Sequence, residues 1–117
     1  MSSLSIEKPG ALRLFGSARR TEVLLGVAIL EETYARELAR VLEAPLLSVQ
    51  RIVDALDREG VVATRLIGQQ RRVTLNPKYF ARKELEPLLR RLALGDQRLL
   101  DAVGSMRRRP RRKGKPY

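Results

Sequence analysis

The chain has 117 residues, enough for one ordinary domain, which at this length buries roughly 65% of the surface that its unfolded form exposes. It contains no cysteine and no histidine, which removes disulfides, thiol nucleophiles, the commonest general base and the usual ligands of a transition-metal sensor; no enzyme, no cofactor and no metal site is expected. The formal net charge of +11 is uneven, because residues 107–117, "RRRPRRKGKPY", hold seven of the 24 basic residues and no acid, so that the rest has a surplus of only four.

Taken in order, residues 1–9 have little period and end in Pro9-Gly10, the pattern of a flexible arm. Ala11 to Phe15 suits a short helix that closes near Gly16. Ser17 is placed to cap the next helix, whose apolar positions Val23, Leu24, Val27, Ala28 and Leu30 recur at helical spacing. Its strongly apolar run, "VLLGVAIL" at 23–30, is too short to span a bilayer, and the start of the chain lacks a signal-like core, so a cytoplasmic protein with no membrane partner is expected.

Glu31 to Tyr34 read as a connection with a short strand, and "YARELARVLEA" resumes the helical period through Ala35, Leu38, Ala39 and Leu42. Ala44-Pro45 interrupts it, since proline starts a helix well and sits badly inside one. A helix over about 46–59 follows, with Val49, Ile52, Val53 and Leu56 as its core stripe and Ser48, Gln50, Arg51, Asp54 and Arg58 turned outward. Gly60 is its expected left-handed stop.

Beyond Gly60 the period falls to two: "VVATRL" and "RRVTL" are expected strands around the glycine-containing loop "IGQQ", a ribbon over about 61–75 that ends at Asn76-Pro77. "KELEPLLRRLAL" then carries Leu85, Leu88, Leu89 and Leu92 on an amphipathic helix interrupted by Pro87. A dimer contact is favoured for those four leucines over packing within the subunit. An extra helix is expected over 95–106 and a disordered basic tail over 107–117.

The fold class is therefore mainly α with a small β-hairpin, two helices joined by a tight turn and followed by a ribbon, as in a winged helix-turn-helix over residues 10–94. "LFGSARRTEVLLGVAIL", "YARELARVLEAPLLSVQRIVDALDREGVV" and "RLIGQQRRVTLNPKY" together resemble an ArsR-like winged-helix transcriptional regulator. The most specific segment is "SVQRIVDALDREGVV", with helix, glycine and strand in that family's order. The resemblance implies a homodimer that lays one helix per subunit in the major groove of double-stranded DNA and a wing along the backbone or minor groove.

Residue chemistry gives each position a role in that picture. Gln50 suits adenine and Arg51 guanine, each good bidentate contact discriminating by roughly 1–3 kcal/mol. Ser48 and Asp54 share the outward face, and Ser48 near the helix start suits a phosphate. On the wing, Gln69, Gln70 and Arg72 are the favoured nucleic-acid side. Arg65, Arg71 and the tail arginines Arg107, Arg108, Arg109, Arg111 and Arg112 suit phosphates regardless of sequence, and Arg19 and Arg20 are secondary candidates.

Two departures from the family pattern stand out. Pro45 occupies the place where a capping Ser or Thr usually precedes the recognition helix, and Leu46-Leu47 replace smaller or polar residues. Leu47 either touches a thymine methyl or marks a protein-contact surface, so a protein or RNA partner is the alternative to duplex DNA.

Overall fold

A computed structural model of the protein describes residues 13–108. The expected arm at 1–9 and the tail arginines Arg109, Arg111 and Arg112 lie outside the described residues. Within them the order is α1 (Ala18–Leu30), α2 (Ala35–Leu42), α3 (Leu46–Arg58), β1 (Val62–Ile67), β2 (Gln70–Leu75), α4 (Arg82–Ala93) and α5 (Gln97–Arg108). The protein is mainly helical with one two-stranded antiparallel hairpin, the arrangement of a winged helix-turn-helix.

The expected helix at Ala11 to Phe15 does not form in its described part. Arg13 to Gly16 is a turn, closed by the Gly16 N–H donating to the Arg13 carbonyl at 3.2 Å, with Gly16 at φ +117°. The chain turns there because Phe15 N–H is taken by the buried Thr21 hydroxyl at 3.2 Å, which itself donates to the Ser17 carbonyl at 3.0 Å. Ser17 caps α1 as its sequence suggests, its hydroxyl accepting from Arg20 N–H at 3.0 Å.

Helix α1 is the centre of the domain. Val23, Leu24, Leu25, Val27, Ala28 and Leu30 are all buried, and the helix touches α2, α3, α4 and β2. Each fully buried Leu or Val contributes roughly 1.5–3 kcal/mol, so this one helix carries much of the apolar stabilisation. Gly26 lets α2 approach: a Cβ there would stand 2.8 Å from Leu38 Cδ2, inside any real contact distance.

The turns between elements are tightly specified. Glu31 has φ 72° and ψ −56° and is spanned by a Glu32 N–H to Leu30 carbonyl hydrogen bond of 2.8 Å, a rare and strained γ-turn. Thr33 then exchanges two backbone hydrogen bonds with Val73, of 3.0 and 2.8 Å, which is the short strand expected before α2. Helix α2 ends in a Schellman motif with Glu43 left-handed at φ 53°; Ala44 N–H reaches the Ala39 carbonyl at 2.9 Å. Helix α3 ends the same way, with Gly60 at φ +82° and Val61 N–H on the Leu56 carbonyl at 3.0 Å.

The hairpin pairs Val62 with Leu75 through to Ile67 with Gln70, so each strand runs one residue further into "IGQQ" than its alternation suggests. The loop is Gly68-Gln69 alone. Gly68 takes the positive φ, +62°, and Gln69 does not, the pattern of a II′ turn. Asn76 closes the base of the ribbon by donating from Nδ2 to the Gly60 carbonyl at 2.9 Å.

Helix α4 corrects the dimer contact expected of Leu85, Leu89 and Leu92. It continues through Pro87 and packs on α1, with Leu89 fully buried and Leu85 and Leu92 set against the same core. Only Leu88, 44% exposed, remains free of it. An apolar stripe identifies a helix's buried face without saying which surface covers it, and here the subunit's own α1 does. Helix α5 is capped by the Asp96 carboxylate, which accepts from Leu99 N–H at 3.1 Å, and packs on α2 through a stripe that includes the buried Leu99 and Val103. It extends through Arg108, so residues 107 and 108, expected in a disordered tail, are helical, and the rest of that expected tail lies outside the described residues.

Candidate nucleic-acid interface

Three elements converge on one open groove of about 610 Å³: the start of α2, the outer face of α3 and the far end of the hairpin. Its lining includes Arg36, Arg40, Gln50, Gln69, Gln70 and Arg71. The α2–α3 turn fixes two of these walls, and the strand register fixes the third.

Directly paired residues of the hairpin share a face. Val62, Thr64 and Leu66 therefore lie on one side with Leu75, Val73 and Arg71, and this side packs toward α3. Arg71 follows from that placement. Its Nη1 donates to Asp54 Oδ1 at 2.6 Å and its Nη2 to Asp57 Oδ2 at 3.3 Å, while the Thr64 hydroxyl donates to the same Asp57 oxygen at 3.0 Å. The hydrogen bond that Arg71 donates to Asp54 raises its pKa above the ordinary value, desolvation opposes this, and Asp57 adds to it.

Arg72 lies on the opposite face beside Arg65. Its guanidinium stands 5.7 Å above the centre of the Tyr34 ring, with Nη1 3.8 Å from Glu32. Two of the expected wing contacts, Arg71 and Arg72, thus have partners inside the protein, as does Asp54 on α3. Arg19 is paired with Glu22 at 3.0 Å, and Arg20 with Glu59 at the end of α3.

The remaining arginines of this region differ. Arg36, Arg40, Arg51 and Arg65 are exposed, and no side chain among the described residues pairs with them. Arg51 has its natural neighbour Asp54 one turn away, but Arg71 has taken that carboxylate. Gln50 and Gln69 are exposed beside the groove, Gln70 is half-buried, and Ser48 is half-buried with no hydrogen bond to a described residue.

No protein-family model, curated protein or solved structure matches the chain. The site therefore rests on its own chemistry. A helix whose outer face offers Gln50 and Arg51 carries donors that fit base edges, and Arg36 and Arg40 beside it are cations with no carboxylate partner among the described residues. Among the described residues no three acidic side chains gather into a metal site.

Sequence reasoning missed Arg36 and Arg40. They stand at i and i+4 on the polar face of α2, a signal present in "ARELAR", where a charged helix face usually means only solvation. Arg107 and Arg108 close α5.

Proposed function

We propose that the protein is a cytoplasmic, sequence-specific double-stranded DNA-binding regulator that inserts α3 into the major groove and lays the hairpin against the backbone or minor groove. The observation that carries this reading is the groove between α2, α3 and the hairpin. It combines unpaired Arg36 and Arg40, which suit phosphates, with the carboxamides of Gln50, Gln69 and Gln70, which suit base edges or sugars. The resemblance of the "SVQRIVDALDREGVV" segment to ArsR-like regulators supports the same reading and adds a homodimer. No helix among the described residues is long and apolar enough to cross a membrane.

Selection of bound sequences from a random duplex pool at about 0.15 M salt, where phosphate attraction is screened, tests it. The expected result is enrichment of a motif that Arg51→Ala and Gln50→Ala fail to enrich. A pool that stays random refutes sequence-specific binding.

A second reading is favoured by one observation: Leu47 at the start of α3 is 56% exposed and Leu66 at the hairpin tip 69%. In that reading the same face binds another protein. Failure of the wild type to bind any duplex, specific or random, at that salt concentration favours it.

A further inference from the structure

Helix α4 has two flanks of opposite character. Toward α1 the charges are paired: Glu86 pairs with Arg82 at 3.0 Å and with Arg90 at 3.4 Å, and Arg90 reaches Glu31 at 3.1 Å. On the outer flank Glu84, Pro87, Leu88, Arg91 and Leu94 are exposed at i, i+3, i+4, i+7 and i+10, one continuous stripe. Glu84 and Arg91 have no side-chain partner among the described residues. Seven residues apart, they are separated by about 10.5 Å along the axis, too far to pair on one helix.

We propose that this stripe is where a second copy of the chain docks, with the two α4 helices antiparallel about a two-fold axis between Pro87 and Leu88. The charges select this occupant. Antiparallel pairing about that axis brings residues whose numbers sum to 175 opposite each other, so Glu84 of one copy faces Arg91 of the other, and the reverse pair forms by symmetry. The same axis sets Leu88 against Pro87 of the second copy. It also carries Leu94 toward the turn before α4, where Phe80 is 91% exposed. Pro87, Leu88, Leu94 and Phe80 of one copy are then set against the other, and Glu84 and Arg91 each meet an opposite charge.

This deepens the homodimer part of the proposed function and replaces the expected contact through Leu85, Leu89 and Leu92, which the subunit core occupies. It is tested without DNA, so its failure leaves the DNA reading standing, and the reverse also holds.

The experiment is sedimentation velocity of the full chain across a concentration series, with Leu88→Asp, Glu84→Arg, Arg91→Glu and the double variant Glu84→Arg/Arg91→Glu. Wild type is expected to sediment as a dimer at the upper end of the series. Each single charge reversal replaces two attractions by two repulsions and is expected to weaken the dimer roughly tenfold or more in Kd. The double variant exchanges the charges and is expected to recover most of that loss, a result that damaged folding does not produce. All three positions are exposed, and thermal melts verify that each variant folds. A wild type that remains monomeric throughout, a Leu88→Asp variant that still dimerises, or a double variant no better than the singles overturns the proposal.

Discussion

Replacing Arg36 and Arg40 together by alanine separates the free cations of the interface from the paired ones. Three arginines that suit phosphates, Arg36 and Arg40 in the groove and Arg65 on the other face of the hairpin, have no compensating carboxylate among the described residues, whereas Arg71 is held by Asp54 and Asp57. A phosphate neutralised by a free cation releases condensed counterions, with a slope of about 0.9 in log K against log salt per contact. Under the proposed reading the three contribute a slope of about 2.7 per protomer, or about a 40-fold fall in affinity for a fourfold rise in salt. Losing two of them removes about 1.8 from the slope, which leaves about a 3.5-fold fall over the same range. The double variant, Arg71→Ala and the wild type are compared by fluorescence anisotropy on a random duplex between about 0.05 and 0.2 M salt. Arg71→Ala is expected to keep the wild-type slope, since it removes no phosphate contact. Equal slopes for the wild type and the double variant would refute the assignment of Arg36 and Arg40 to phosphates, and a slope lowered by Arg71→Ala would refute its internal role.

Arg51→Ala is expected to lose roughly 1–3 kcal/mol on the selected site and little on random duplex; equal loss on both makes Arg51 a phosphate contact. Glu43→Gly is expected to raise stability by about 0.5–1 kcal/mol in urea unfolding, because glycine takes the left-handed φ of 53° without the Cβ penalty. A destabilised variant would mean that the Glu43 side chain has a role its exposed position does not suggest. Arg71 has a raised pKa, so its contribution is fully present below the ordinary arginine range and fades only as pH rises through a still higher value. The difference in melting temperature between the wild type and Arg71→Gln is therefore expected to stay constant from about pH 6 to 10, where arginine remains protonated. A difference that falls within that window contradicts the assignment.

Periodicity made most of the architecture legible. Val49, Val53 and Leu56 are buried as their spacing requires, Ile52 packs beside them, and Gly60 and Gly68 take the positive φ that a helix stop and a tight hairpin need. What spacing cannot carry is the identity of a partner on another element. Asp54 and Arg71 each read as outward-facing when taken alone; they meet because the hairpin folds back over α3, a fact of tertiary placement seventeen residues removed from either local pattern. The dimer contact expected of Leu85, Leu89 and Leu92 failed for a related reason, since their stripe is genuine and the surface that covers Leu89 belongs to α1. Arg13 to Phe15 were misread because a buried threonine hydroxyl, invisible to periodicity, holds the Phe15 amide.

The Asp54–Arg71–Asp57 cluster has a bearing on how a duplex would be read. Two ion pairs and the Thr64 hydroxyl join the hairpin to α3, so under the proposed function the two present their contacts at a set separation. The tracts they touch then act as one word with fixed spelling distance. Inserting a single base pair between them shifts the second tract by about 3.4 Å and turns it around the duplex axis, and the protein can follow only by breaking the cluster.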